Sequence, residues 1–326
     1  MGQPKRPRRG SMQFWPHVRA SKLYARMRSW QKTDQKKLLG FIGYKVGMTH
    51  IIEEKIDPLT PTKKIYQKAT PVTIIECPPI LPLAIRFYKN SAYGKKVVAD
   101  IVAQKFEKEL SRKIKPTKKK TEEPTEFDDV KLLVYTQPKK TGLPNKKPEI
   151  VEIGLGGKNP KEKLELAKSL MDKEIKISDI FKTGQIVDTR SITKGKGFQG
   201  PVKLHGVKIR QHKAEKTKRG PGSLGGWKAQ GKIMYRVAKA RKMGLQQRTE
   251  YNKRIMKIGD NPEEINAKGG FPRFGFVKNG YVLLKGSVAG PAKRPIILTE
   301  TMRIGENKAV LEPKIKHISL ESKQRR

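Results

Sequence analysis

Three patterns in this 326-residue chain have the spacing of known chemistry. Gly195, Gly197 and Gly200 form GxGxxG after an apolar run, the arrangement that in a dinucleotide fold turns a strand into a helix whose N-terminus receives a pyrophosphate. Pro201-Val202-Lys203 follows, and no helix is expected there, so the pattern is set aside. Residues 226–232 read GWKAQGK, but Ile233 stands where a P-loop carries the hydroxyl that binds magnesium. The five histidines, His17, His50, His205, His212 and His317, are scattered with no pair at metal-ligand spacing, and Cys77 is the only cysteine. No nucleophile, base and orienting group can be assembled, so the chain is expected to be no enzyme, with no metal and no cofactor.

The chemistry that the residue types do support is binding of a polyanion. Ser191 to Lys257 carries nineteen Lys or Arg against two acids, Glu215 and Glu250, a local charge of +17. So charged a stretch, poor in clustered apolar residues, does not bury enough surface to offset the entropy of its own ordering, and alone in water it is expected to be mobile. Lys194, Lys196, Lys203, Lys208, Arg210, Lys213, Lys216, Lys218, Arg219, Lys228, Lys232, Arg236, Lys239, Arg241, Lys242 and Arg248 are its candidate phosphate contacts. His205 and His212 sit among them, as base-stacking or phosphate-bonding groups or as ordinary imidazoles. The glycines of KGKGFQG and RGPGSLGGWKAQGK suit a backbone that passes close to a phosphate ribbon and turns around it. Trp227, flanked by Gly225 and Gly226, stands at a tip where it stacks on nucleic acid or packs back on its own arm. Beyond it, residues 232–248 read as a short basic helix without a strong apolar face. From Lys194 to Trp227 the extended chain reaches about 110 Å at roughly 3.3 Å per residue.

Residues 1–33 repeat the theme, with nine Lys or Arg, no acid, and Phe14, Trp15, Tyr24 and Trp30 set among them. Cations that neutralise phosphates and aromatic faces that stack on unpaired bases make Lys5, Arg6, Arg8, Arg9, Trp15 and Arg19 candidates for nucleic-acid contact. A disordered tail, or for KRPRR an import signal, is the plainer alternative.

The elements that must hold these arms are short strands. GFIGYKVGMTHIIEE from Gly40 is β-like, and further strands are expected at 72–76, 83–88, 132–136, 185–189, 274–277, 281–285, 294–298 and 314–319, with Asn279-Gly280 as a hairpin turn between the fifth and sixth of these. Val98, Ile101, Val102, Phe106 and Leu110 repeat at helical spacing, and Asn159-Pro160 opens a second helix over KEKLELAKSLMDK. Residues 100–190 hold 21 basic and 16 acidic residues, a near balance that marks them as a lobe facing protein or solvent. Frequent Gly and Pro without a βαβ rhythm favour a mainly β fold, a closed antiparallel barrel with an α/β insertion. The expected organisation is a basic extension over 1–37, barrel over 38–96, an inserted α/β lobe over 97–183, a barrel strand over 184–190, the central extension over 191–257, and the rest of the barrel over 258–326.

Composition bounds the class. The formal charge is +43 with 35% hydrophobic residues, enough for one modest core with long arms, and it points to nucleic acid, an anionic membrane or an acidic protein as partner. A single cysteine excludes an intrachain disulfide and suits a reducing compartment. No apolar run reaches a membrane span, the Arg-rich start has no signal-peptide core, and Arg6 stands where a myristoylation signal needs Ser or Thr, so a soluble, intracellular protein without membrane contact or homo-oligomerisation is expected. Two rival classes share the basic arm. A nucleic-acid-modifying enzyme or nuclease would need a carboxylate cluster beside it, and a chromatin-like protein would bind duplex DNA as well as folded RNA.

GFIGYKVGMTH at 40–50, TKGKGFQGPVKLHG at 193–206, GPGSLGGWKAQGK at 220–232 and GYVLLKGSVAGPAKRPIIL at 280–298, in this order, resemble the universal L-three family of large-subunit ribosomal proteins, archaeal type. The resemblance implies a translation-factor-like β-barrel and extensions threaded into large-subunit rRNA, with contacts to its 3′ domain and to neighbouring ribosomal proteins, in the cytoplasm. It also implies a role in early assembly, and a tip at Gly225, Gly226 and Trp227 near the peptidyl transferase centre that is linked to aminoacyl-tRNA accommodation. Bacterial members carry Gln where this chain has Trp227. The spacing around His212 differs from that of the methylated histidine in some eukaryotic members, so no modification is carried over.

Overall fold

The computed structural model describes residues 11–56, 65–115, 122–171, 173–214, 216–225, 231, 233–303 and 312–324. The chain divides into two compact units: unit 1 is Met1–Lys22 with Ile192–Gln247, and unit 2 is Leu23–Ser191 with Arg248–Arg326. The fold is mainly β.

Unit 2 is built around β1 (Gly40–Ile56), the run that the glycine-punctuated apolar sequence announces. One of its edges is shared, with the first residues pairing β12 (Pro295–Glu300) from Gly40↔Thr299 to Tyr44↔Pro295 and the later ones pairing β13 (Lys314–Ile318). The other edge runs along β2 (Ile65–Glu76) for most of its length, with a bulge between Lys45 and Gly47. The main sheet is completed by β7 (Ile186–Ile192), β10 (Gln247–Gly259) and β11 (Tyr281–Lys285) in the order β12-β7-β10-β11-β2-β1-β13, and β12 also pairs with β1. A second sheet takes β3 (Leu81–Ser91), β4 (Gly94–Val102), β5 (Asp129–Tyr135) and β6 (Ile150–Gly154) in the order β4-β3-β5-β6, with α1 (Pro160–Leu170) packed against it. One core of buried residues joins the two sheets, from Phe41, Ile42 and Ile297 to Ile85, Leu132 and Ile153.

Several expectations are corrected. The apolar spacing over Val98–Leu110 does not form a helix: it becomes strand β4 and then a short 3-10 turn at Lys108–Arg112. Val97, Val98, Ile101 and Val102 are β-branched, and a free edge of β3 accepts them, with Arg86 opposite Asp100 and their side chains 2.7 Å apart. Residues 274–277 are not a strand, and Asn279-Gly280 is not a hairpin turn. β11 already has β10 and β2 as neighbours, so Phe274 and Val277 go into the core, and Asn266 satisfies the backbone of Val277 on both sides at 2.9 and 3.0 Å. Asn279 instead donates to the buried carboxylate of Glu76, whose Oε1 also accepts from the backbone N–H groups of Lys278 and Asn279. Burial pushes the Glu76 carboxyl above its ordinary range despite these three donors. The second helix is present, with Asn159 at its N-cap and Pro160 in its first turn, but the Asn159 side chain makes no capping bond.

Tyr24 and Trp30 are core residues, not aromatic faces for bases. Tyr24 is buried, and Trp30 lies so close to Gly40 and Gly154 that a Cβ at Gly154 would sit 2.6 Å from the indole ring. Leu39 N–H donates to the Gly154 carbonyl at 3.0 Å beside it, so the segment before β1 is seated on β6 by packing and ladder together. Gly154→Ala is expected to lower stability by about 1–3 kcal/mol, the usual cost of overpacking, read as a lower urea midpoint with an unchanged m-value.

Unit 2 holds 29 acids against 52 bases and pairs part of that charge internally. Lys131 pairs with Glu152 at 2.6 Å, Lys113 with Glu149 at 2.7 Å, and Asp129 takes Lys95 at 2.5 Å and Lys163 at 2.9 Å. Burial raises the Asp129 carboxyl, but the hydrogen bonds and charges of those two lysines outweigh it and hold the group below its ordinary value. A depressed carboxyl contributes stability that is present above its unfolded pKa and is lost as pH falls through its folded one. In an acid titration followed by circular dichroism, Asp129→Asn is therefore expected to be less stable than the parent at neutral pH. It should also lose less further stability below about pH 4, the ordinary aspartate range.

Candidate nucleic-acid interface

Unit 1 contains twenty-one Lys or Arg and one acid, Glu215, which lies outside the described residues. The two ends of its longer segment, Ile192–Gln247, are held together by backbone. Thr193 N–H donates to the Gln246 carbonyl at 2.9 Å, Lys196 N–H to Met243 at 2.9 Å, and Met243 N–H to Gly197 at 2.8 Å. This ladder continues as a two-stranded ribbon of β8 (Phe198–Gln199) and β9 (Arg241–Lys242). The amino-terminal segment joins it where Ala20 N–H donates to the Leu245 carbonyl at 2.7 Å.

Trp15 is the side-chain anchor of the unit. Its ring meets His17 edge-on at 4.8 Å and Tyr235 edge-on at 5.8 Å, while the Arg241 guanidinium lies 4.2 Å from the ring centroid. A planar cation over an indole face is attracted by the ring quadrupole, and the guanidinium stacks flat where an ammonium does not. Burial lowers the pKa of Arg241, which nonetheless remains charged. Trp15 is thus a half-buried packing residue with Arg241 over its ring.

A single helical turn, α2 (Pro201–His205), follows Gly200, where the sequence argument expected none. Pro201 fills its first position and Gly206 ends it at φ +68°. One turn does not assemble the aligned dipole that a pyrophosphate site uses, so the GxGxxG pattern gains nothing from it. His205 is half-buried and its Nε2–H donates to the Lys239 carbonyl at 3.2 Å. The short helix expected over 232–248 is also absent among the described residues: 233–240 are irregular, Arg241 and Lys242 are strand, and Gly244 and Leu245 have positive φ.

The remaining candidates point to solvent. Arg19, Lys194, Lys196, Lys203, Lys208, Arg210, His212, Lys213, Lys216, Lys218, Arg219, Arg236, Lys239 and Lys242 are exposed, and Arg248, at the start of the second segment of unit 2, is half-buried with its pKa lowered by burial. Unit 2 pairs many of its acids with cations, as Lys37 with Glu300 and Lys316 with Glu54. One loop of unit 1 is shaped as well as charged. Arg210 N–H donates to the Lys218 carbonyl at 3.1 Å, and within that loop Lys208, Ile209, Arg210, Gln211, Lys213 and Ala214 line a cleft of about 510 Å³. Lys5, Arg6, Arg8, Arg9, Gly226, Trp227, Lys228 and Lys232 lie outside the described residues, while Gly225 is described, at φ +113°. Phe198 and Tyr235 are exposed aromatics of the unit, and for Phe198, which is not among the expected contacts, a phenylalanine between glycines in a cationic run is the available signal. Among the described residues there is no group of three or more metal-ligating side chains, and no helix is long and apolar enough to cross a membrane.

Gly244 closes the base of the ribbon at φ +75°, and a Cβ there would sit 2.0 Å from the Lys194 carbonyl oxygen. Gly244→Ala is expected to open the ribbon locally, with amide exchange at Lys196 and Met243 accelerated at least about tenfold, since a left-handed non-glycine residue alone costs about 1–2 kcal/mol.

The family described as Ribosomal protein L3 matches residues 1–128 and 122–325 of the chain. The chain is 45% identical over 331 residues to a protein of Methanobrevibacter smithii named large ribosomal subunit protein uL3, with 98% of each chain covered. Proteins of the same name from Methanococcus aeolicus and Methanocaldococcus jannaschii are each 46% identical, over 328 and 330 residues, again with 98% of each chain covered.

Proposed function

The chain belongs to the ribosomal protein L3 family, in its archaeal form, and from that premise we propose that it is an rRNA-binding scaffold of the large ribosomal subunit. The family is one of structural proteins of the ribosome in the cytoplasm, not of enzymes. The observation that carries the RNA reading is the unit of twenty-one cations and one acid, most of whose described cationic side chains are exposed. Phosphates supply the missing charge, and release of their condensed counterions drives the association. The cycle of pairings from β12 through β7, β10, β11, β2 and β1 back to β12 supports a closed barrel of translation-factor type as the body that docks on the subunit.

In this reading unit 1 enters the 3′ domain of the large-subunit RNA, supports early assembly and orders the RNA around it. The tip at Gly225, Gly226 and Trp227 helps shape the peptidyl transferase centre and the path of aminoacyl-tRNA. The cleft lined by Lys208, Arg210 and Lys213 clasps backbone phosphates. RNA performs the chemistry, and the protein places it. Neighbouring ribosomal proteins meet unit 2.

Chemical footprinting of large-subunit rRNA with the full chain, with duplex DNA at equal salt as competitor, tests this. Protection of the 3′ domain is expected, with log K falling linearly against log salt. Replacing Lys208, Arg210 and Lys213 together by Ala should reduce that slope by about 2–3, at roughly 0.7–0.9 per phosphate contact. Trp227→Ala should expose only nucleotides near the peptidyl transferase centre. Equal affinity for duplex DNA, or no protection in the 3′ domain, would sink the proposal.

A further inference from the structure

The ribbon of β8 and β9 has two faces, and only one of them is covered. Phe198 stands opposite Lys242, and Gln199 opposite Arg241. Residues directly opposite on an antiparallel pair share a face, and successive residues alternate between faces. Gln199 and Arg241 therefore share one face; both are half-buried, Arg241 against the Trp15 ring. Phe198 and Lys242 share the other. The phenyl is 70% exposed, and among the described residues neither side chain has a ring contact, hydrogen bond or ion pair.

A lone exposed apolar side chain is ordinary on a protein surface. Phe198 differs in how it is presented. Its backbone is pinned by the ladder at Lys196, Gly197 and Met243, so the ring is carried on a fixed ribbon. Gly200, two residues on and so on the same face, has nothing within 4 Å of an added Cβ, so no side chain of that position crowds the ring. Its neighbours are ammonium groups and glycines, not the further apolar residues that a protein partner would need to bury. A planar ring with a cation beside it matches one nucleotide: a base for the ring and a phosphate for the ammonium.

We propose that Phe198 is a stacking platform for an unpaired RNA base, with Lys242 holding the adjacent phosphate. This rests on the RNA-binding reading above. The two cover different terms of the affinity: the exposed cations set its salt dependence, and the phenyl adds a contact that salt does not screen.

The test is binding of the full chain to large-subunit rRNA across a salt series, with base-specific chemical probing. Phe198→Ala is expected to lose about 5- to 150-fold in affinity, the typical worth of one stacked base, with the salt slope unchanged and an unpaired nucleotide newly reactive. Phe198→Trp should bind like the parent. Lys242→Ala should reduce the slope by about 0.7–0.9. The amide exchange of Met243 reports whether the ribbon stays formed in each variant. If the parent binds and Phe198→Leu binds equally well, the face makes an apolar contact and the base platform is wrong. If Phe198→Ala binds like the parent and alters no nucleotide, it is wrong as well. If the parent itself binds no RNA, the function proposed above fails and takes the platform with it.

Discussion

Unit 1 confines twenty-one cations with a single carboxylate, and the rest of its structure answers to that crowding. Charges closer than a Debye length of about 10 Å repel with little screening, and an apolar core large enough to overcome the repulsion is not available in this sequence. The unit therefore relies on interactions that charge does not spoil: a backbone ladder from Thr193 to Lys242, a glycine at position 244 that lets two chains nearly touch, and an indole that accepts a guanidinium on its face. Arg241 is the clearest case, because cation–π contact turns one of the repelling charges into part of the packing. With one acid in the unit, the other cations have little countercharge within it.

Unit 2 has 29 acids to set against its 52 bases, and uses them to pair part of its charge. Its acids are placed opposite its bases, across strands as in Arg86 and Asp100, or between helix and sheet as in Lys163 and Asp129. Close approach of backbone and ring does the rest. Gly40 and Gly154 admit Trp30, which seats the segment leading into β1. Glu76 is a buried carboxylate with no cation pairing it, stabilised by three donors from the turn at Lys278 and Asn279, so a polar group organises a loop where an isolated hairpin was expected.

Particular elements show where local sequence suffices. The strands expected at 72–76, 132–136, 281–285 and 314–319 were legible because dense apolar runs between turn residues have one good use in a mainly β chain. The apolar repeat over 98–110 misled because residues spaced for a helix face are also β-branched, and an open sheet edge decided between the two. Asn279-Gly280 has the composition of a hairpin turn, but its strand was already paired on both sides. Among the aromatics, position in the sequence was no guide. Trp15, Tyr24 and Trp30 lie among cations and are packed, whereas Phe198 lies among glycines and is open.

The sequence by itself determined the segregation of charge, the absence of clustered catalytic or metal-binding groups from its motifs, and the family. These follow from composition and from motifs in order, and charge adds up along a segment whatever its contacts. Only the tertiary structure decided which side of the basic ribbon is free. That depends on Arg241 and Tyr235 meeting Trp15 from a distant part of the chain, and the exposure of a side chain is set by partners that local sequence does not name.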